Sequence, residues 1–336
     1  MEKKIGFSRD IIQLKDVELI VEQICSKLKE DVFHVLRRKG GVIGISGGID
    51  SSVTLALAVK ALGAENLLGV MLPETESSPE SRILAQKLAD KFNVKTVVED
   101  ISSALHGFQC YLRRDEAVMR VIPDYNPVSD KMKIGIPTEI IEKNLPPVFH
   151  VTVVYADGTQ VSKRLPVNEY LQIVAASNFK QRSRMSMLYY HAEALHYAVL
   201  GTPNKHEVEQ GFFVKYGDGG ADVMPIGGLY KTQVYQLAKY LGVPEEISRR
   251  TPTTDTYSAE QTQEEFFYQL PFEDMDLLWY GWENGYPAQE IAHVLNFPED
   301  LVIKNFKNFE RKQKTAEYLR MAPIRDSTDI NQNSKT

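Results

Sequence analysis

The run Gly41-Val42-Ile43-Gly44-Ile45-Ser46-Gly47-Gly48-Ile49-Asp50-Ser51-Ser52 sets hydroxyls, adjacent glycines and one acid between a short apolar stretch and an apolar helix. Paired glycines open φ angles closed to other residues and let backbone N–H groups approach a ligand. Ser46, Ser51 and Ser52 add donors, and the helix start adds unpaired N–H groups and the positive end of a dipole. Such a turn suits an anion, although a plain strand-to-helix turn is the simpler reading of Gly-Gly alone. Asp50 opposes that charge. An acid beside a phosphate cradle repels the phosphate unless a cation bridges them, so Asp50 is expected to hold Mg2+. No Gly-Lys-Ser/Thr follows at mononucleotide P-loop spacing, and the pattern is not Gly-x-Gly-x-x-Gly. Further polar sets follow at Asn204-Lys205-His206-Glu207 and from Lys215 to Asp222, where glycines crowd the end of an apolar strand.

The elements around these residues follow from apolar periodicity. Residues 16–39 repeat apolar positions at helical spacing, with Cys25 among them, and Gly40-Gly41 closes that helix. Leu67–Pro73, Val94–Val98 and Tyr197–Leu200 read as buried strands, with helices between the first three and a helix over about 168–195. Strands separated by single helices predict an α/β fold: a doubly wound parallel sheet with helices on both faces and ligands at the strands' carboxyl ends. Between 109 and 167 the pattern breaks, and Asp157-Gly158 between β-rich runs signals a hairpin. The expected organisation is a nucleotide domain built from 1–108 and 168–325, an insertion at 109–167 carrying the hairpin, and a polar tail at 326–336. Lys231 begins a helix over 229–242. Residues 251–258 form a polar loop without an apolar anchor, expected to move and close over a ligand. Residues 263–284 and 299–319 read as amphipathic helices, and Glu273-Asp274-Met275-Asp276 as a solvated acidic face.

A net charge of −6 argues against a general nucleic-acid or anionic-membrane binder. The two cysteines, Cys25 and Cys110, supply neither a disulfide framework nor a zinc cluster. The opening Met-Glu-Lys-Lys leads into no apolar leader and no run approaches a membrane span, so a cytoplasmic location is expected.

The Ser-Gly-Gly-x-Asp-Ser loop resembles that of the ATP pyrophosphatases, which split ATP between its α and β phosphates. Asn178-Phe179-Lys180-Gln181-Arg182-Ser183-Arg184-Met185, Gly201 to Glu207, Lys215 to Asp222, Leu229-Tyr230-Lys231-Thr232-Gln233 and Pro252-Thr253 resemble, in order, the motifs of ammonia-dependent NAD synthetases. The resemblance implies that Gly44, Ile45, Ser46, Gly47, Gly48, Ile49, Asp50, Ser51, Thr202, Lys231 and Thr253 bind ATP. Ser46, Asp50, Lys231 and Thr253 are the catalytic candidates, and Asp50 and Glu207 the Mg2+ ligands. Asn178, Arg182, Lys215 and Asp222 would contact deamido-NAD. The resemblance also implies a homodimer with the dinucleotide across the subunit interface.

The implied chemistry suits these residue types. A carboxylate cannot pass its acyl group to ammonia while oxide is the leaving group, so it is first adenylated, pyrophosphate leaves, and ammonia displaces AMP. Pyrophosphate needs donors and cations, here loop N–H groups, Lys231, Thr253 and Mg2+. Glutamine-dependent relatives carry a nitrilase-like domain for which the stretch before Gly41 leaves no room, so free ammonia or a separate glutaminase is the expected nitrogen source. Gln263-Glu264 stands where the family has an acidic pair, and Tyr318-Leu319 where it has His-Lys. A diverged ligase acting on a different carboxylate acceptor is therefore the alternative. A tRNA-modifying ATP pyrophosphatase predicts a basic domain and a cysteine pair, and an inert ATP sensor would not need Asp50, Glu207 and Lys231 together.

Overall fold

The computed structural model describes residues 6–136, 148–252, 256–259, 261–262 and 270–325. Its centre is a four-stranded parallel sheet in the order β3-β2-β1-β7, formed by β1 (Gly41–Gly44), β2 (Leu67–Met71), β3 (Lys95–Val98) and β7 (Ala198–Leu200). Val42 stands opposite Leu68 on one side and Val199 on the other. A further parallel bridge joins Leu200 to Val223. Strands β1, β2 and β7 are buried on both faces, which is why they read as continuous apolar runs rather than alternating ones, while β3 is the more exposed edge strand.

Helices cover each face. On one lie α1 (Val17–Glu30), α2 (Ile49–Leu62), α3 (Pro79–Lys91) and α8 (Lys231–Tyr240), enclosing Val21, Leu28, Ile43, Leu57, Leu88 and Leu237. Asp16 caps α1 by accepting the Leu19 N–H at 2.9 Å. The helix expected over 16–39 ends earlier, in a π-helical turn over Asp31–Val35. On the other face α6 (Val167–Leu195) packs Met185, Leu188 and Ala192 against Val42, Val70 and Val199. Strand order reverses between β1 and β7, so the crevice at their carboxyl ends is where such a sheet accepts a ligand.

The stretch from 109 to 167 holds more structure than a hairpin. Following the short α4 (Ser102–Gly107), it supplies α5 (Cys110–Val121) and a three-stranded antiparallel sheet of β4 (Lys131–Gly135), β5 (His150–Val154) and β6 (Gln160–Arg164). The expected hairpin is β5–β6, turning at Ala156-Asp157-Gly158. Strand β4 escapes the sequence pattern because Lys131 and Lys133 alternate with Met132 and Ile134 over only five residues. These elements share their own core of Ile122, Met132, Ile134, Val151 and Val153. The loop expected to lack an apolar anchor has one, since Tyr257 is buried in this core. Its neighbours pair with β4: Ser258 Oγ accepts the Met132 N–H at 2.9 Å, and the Ala259 N–H donates to the Met132 carbonyl.

The C-terminal third forms an aromatic layer. It comprises α10 (Phe272–Glu283), α11 (Ala288–Leu295) and α12 (Glu299–Arg320), with Trp279 and Phe309 at its centre. Residues 263–269 of the expected helix over 263–284, the proposed tail 326–336, and Gln263 and Glu264 with them, lie outside the described residues.

Charged side chains join the inserted elements to the parallel sheet. Lys180 Nζ lies 3.2 Å from Glu74 and 2.6 Å from Glu76 on the segment after β2. Arg114 of α5 donates to the same Glu76 at 2.7 Å and to Asp115 at 2.9 Å. Burial acts to raise the Glu76 pKa, but the charges of Lys180 and Arg114 outweigh it and leave the carboxyl below its ordinary 4.5. A carboxyl held low contributes stability that is complete above its ordinary value and is lost as pH falls through the folded one. Arg114→Ala, which removes one of the two cations at Glu76 and takes the guanidinium from the buried Asp115, is expected to cost about 3–5 kcal/mol of unfolding free energy. It is also expected to flatten the loss of stability below pH 4.5. Urea denaturation at several pH values checks both, and an unchanged midpoint would contradict the buried-pair account.

Candidate active site

The Ser46–Ser52 turn leaves β1 and enters α2 at the carboxyl edge of the sheet. Gly47 takes φ +75°, and a Cβ there would sit 2.5 Å from the Ser81 carbonyl oxygen of α3, so only glycine fits on both counts. Hydroxyls fix the turn from within. Ser51 Oγ and Ser52 Oγ donate to the Gly48 carbonyl at 3.0 and 2.8 Å, and the Gly48 N–H donates to Ser46 Oγ at 3.3 Å.

A cavity of about 150 Å³ opens in front of the turn. Ser46, Gly48, Ile49, Asp50 and Ser51 line it from the β1 side, and Thr202 and Glu207 from the segment after β7. The two halves of the expected site thus meet at the point where strand order reverses. Gly44, Ile45 and Gly47 shape the turn without lining the cavity. Thr253 lies outside the described residues.

Lys231 is fully buried, and its Nζ lies 2.5 Å from Asp50 Oδ2. Burial opposes its charge, yet Asp50 and Glu207 prevail and raise its pKa above the ordinary lysine value. Glu207 behaves oppositely. Its depth in the protein and the nearby Asp50 charge push its pKa up to about 8, with Lys231 working the other way. Asp218, also on the cavity wall, is pushed up by burial to about 6. The site therefore gathers three carboxyl groups, from Asp50, Glu207 and Asp218, around one buried ammonium.

The mounts of these groups are specific. Glu207 sits in the first turn of α7 (Lys205–Gln210), in a capping box: Asn204 accepts the His206 and Glu207 N–H groups, and Glu207 Oε2 accepts the Asn204 N–H at 2.9 Å. Asn204 Nδ2 points back to Asp50 Oδ1 at 3.4 Å. Lys231 is held by Asp276 of α10, whose carboxylate caps α8 from another helix. It accepts the Lys231 N–H at 3.3 Å, the Thr232 N–H at 2.8 Å and the Thr232 hydroxyl at 2.6 Å, and lies 2.6 Å from His206 Nε2. The expectation of a solvated acidic face at 273–276 holds for the exposed Glu273 and is corrected for Asp276. Asp276 is wholly buried because α8 begins at Tyr230 and Lys231, neither of which supplies an acidic cap to those N–H groups. Sequence carried no signal for this long-range cap. Asn204 was legible in principle, from its spacing to Glu207.

The residues expected to meet the dinucleotide lie elsewhere. Arg182 Nε on α6 donates to the Lys215 carbonyl at 3.2 Å, while Arg184 turns to the Leu72 carbonyl, in keeping with their different helix faces. Lys215 Nζ donates to the Tyr318 and Met321 carbonyls at the end of α12, each at 2.9 Å. Asp222 accepts the Val199 N–H at 2.8 Å and the Tyr189 hydroxyl at 2.9 Å. Asn178 lies on α6, and none of the four lines the cavity. Phosphate-binding and acceptor candidates are therefore spatially separate.

Among the described residues no helix is long and apolar enough to cross a membrane. The chain matches the profile of the NAD synthase family over residues 20–123 and 148–323. It is 45% identical over 323 residues to the NH(3)-dependent NAD(+) synthetase of Rhizobium meliloti (strain 1021), covering 96% of this chain and 95% of that one. Its fold is similar to that of NMN synthetase from Francisella tularensis, with TM-score 0.61 and 21% identity, covering 93% of this chain and 98% of that one. It is similar also to NH3-dependent NAD synthetase from Campylobacter jejuni, with TM-score 0.59 and 23% identity, covering 93% and 100%. Those two likenesses speak for the fold; the family follows from the profile and from the closer sequence identity. The chain belongs to the NAD synthase family.

Proposed function

We propose that this protein makes NAD by amidating deamido-NAD with ammonia at the expense of ATP, through an acyl-adenylate. The observation that carries the reading is the shared cavity, with the glycine turn on one wall and Asp50 and Glu207 beside it. A carboxylate oxygen of the acceptor attacks the α-phosphorus, the bond to the bridging β-oxygen breaks, and pyrophosphate leaves. Ammonia then adds to the acyl carbon, AMP departs with the C–O bond electrons, and a proton is lost as the amide forms. Ser46 and Ser51 hydroxyls and the N–H groups of the turn face the departing diphosphate, and Thr202 and Thr253 belong to the same ATP set. Lys231 holds the Asp50 carboxylate in place.

The donor set fits Mg2+: Asp50 and Glu207 would offer it two oxygen ligands, and the cavity leaves room for phosphate oxygens to complete the shell. When bound, the ion would neutralise charge developing on the diphosphate. Arg182, Lys215, Asp222 and Asn178 are the acceptor contacts in this reading, supported by the bond from Arg182 to the Lys215 carbonyl, which ties the middle of α6 to the 215–222 segment. A homodimer, which the resemblance implies, is part of this reading. The segment 109–167 is an insertion into the nucleotide domain. Ammonia, free or from a separate glutaminase, supplies the nitrogen in the cytoplasm.

Purified protein with Mg-ATP, ammonium and deamido-NAD is expected to yield NAD, AMP and pyrophosphate in equal amounts. Nicotinate mononucleotide is expected to be the poorer acceptor. AMP formation confined to another carboxylate would favour the alternative ligase. Asp50→Asn and Glu207→Gln keep shape but remove charge, and each is expected to lower kcat/KM for Mg-ATP by about 100-fold or more. Steady-state kinetics decide, and wild-type activity in Glu207→Gln would remove the metal role assigned to it.

A further inference from the structure

The charges on the cavity wall do not match the charge of its intended occupant. Three carboxyl groups reach it, from Asp50, Glu207 and Asp218. Lys231 is committed to Asp50 from behind and does not line it. Among the described residues that do, Arg250 alone carries a positive charge. It follows α9 (Glu245–Arg249), directly before Thr251 and Pro252, which line the same wall.

Arg250 is steered toward the glycine turn. Its Nη1 donates to Ser81 Oγ at 3.1 Å, and Ser81 is the residue whose carbonyl oxygen abuts Gly47. Its Nη2 lies 3.9 Å from Glu80, a largely exposed carboxylate beyond hydrogen-bond range. A guanidinium has five N–H donors, so the Ser81 contact orients the fork and leaves capacity for an anion in the cavity. We propose that Arg250 is a catalytic residue that binds the β- and γ-phosphates of ATP and the pyrophosphate they become. The assignment rests on the adenylating function proposed above. Ser81 is its positioning residue, holding the fork against the turn. Arginine suits the task because its planar fork can take two phosphate oxygens at once, which an ammonium cannot.

The test compares the full-length wild type with Arg250→Ala, Arg250→Lys and Ser81→Ala. It measures kcat, KM for Mg-ATP, KM for deamido-NAD and the inhibition constant of magnesium pyrophosphate, with a thermal melt for folding. Arg250→Ala is expected to raise both KM for Mg-ATP and the pyrophosphate inhibition constant by about 10- to 100-fold, leaving KM for deamido-NAD unchanged. Arg250→Lys is expected to recover part of the loss, and Ser81→Ala to show a smaller shift in the same two constants. A purely structural Arg250 would move the melt and leave pyrophosphate affinity alone. Should Arg250→Ala fail to fold, Arg250→Lys decides: wild-type pyrophosphate inhibition in a folded variant overturns the assignment. Failure of the underlying reading looks different. Wild-type protein that binds magnesium pyrophosphate through Arg250 but makes no NAD would sink the acceptor and leave the pyrophosphate contact standing.

Discussion

The ion pair between Lys231 and Asp50 is the interaction on which the rest of the site depends. An ammonium withdrawn wholly from water is costly unless a carboxylate meets it. Lys231 meets one at 2.5 Å and has a second, Glu207, near enough to raise its pKa. The pair fixes the first turn of α2 against the first turn of α8, and hence the glycine turn against the C-terminal helices. It also leaves the cavity short of positive charge, because the cation satisfies one acid and three approach the wall. Burial, with the Asp50 charge beside it, is what raises Glu207. A site that gathers three carboxyl groups around one buried ammonium must receive cations with a polyphosphate, and Mg2+ together with Arg250 answers that need in the reading offered here.

The supporting architecture places each partner of the pair from a different direction. Asp50 comes from the β1–α2 turn, which glycine and three serine hydroxyls hold in a single shape. Glu207 comes from a capping box after β7, the strand on β1's other side. Lys231 comes from α8, whose end is capped by Asp276 of the aromatic C-terminal layer. That layer thereby supports Lys231 without lining the cavity. The inserted sheet is tied in through Lys180, Glu76 and Arg114, next to the segment that leads into α3 and Ser81. Rigidity at the cavity thus draws on parts of the chain up to 226 residues apart, as from Asp50 to Asp276.

How much of this was legible in the sequence depended on the range of the interactions. Strands β1, β2 and β7 announced themselves because burial on both faces demands continuous apolar runs. The glycine turn did so because its backbone tolerates few residue types. The pairing of Asp50, Glu207 and Lys231 in one place followed from a resemblance of ordered motifs, since spacing alone cannot say which distant acids converge. Asp276 was misjudged for the same reason: three acids among four residues look solvated until another helix's N-terminus is known to need one. Strand β4 was hidden by its lysines and brevity, and Tyr257 looked like part of a polar loop because its apolar neighbours belong to β4 and β5. Arg250 gave no signal at all, as a second arginine after a short helix is most simply a surface residue.

The most direct measurement is a crystal structure of the protein with Mg2+ and a non-hydrolysable ATP analogue. The account predicts metal density between the Asp50 and Glu207 carboxylates, with β- and γ-phosphate oxygens completing its shell against the Ser46–Ser51 turn. Triphosphate density outside this cavity, or a metal bound without Asp50 and Glu207, would contradict it.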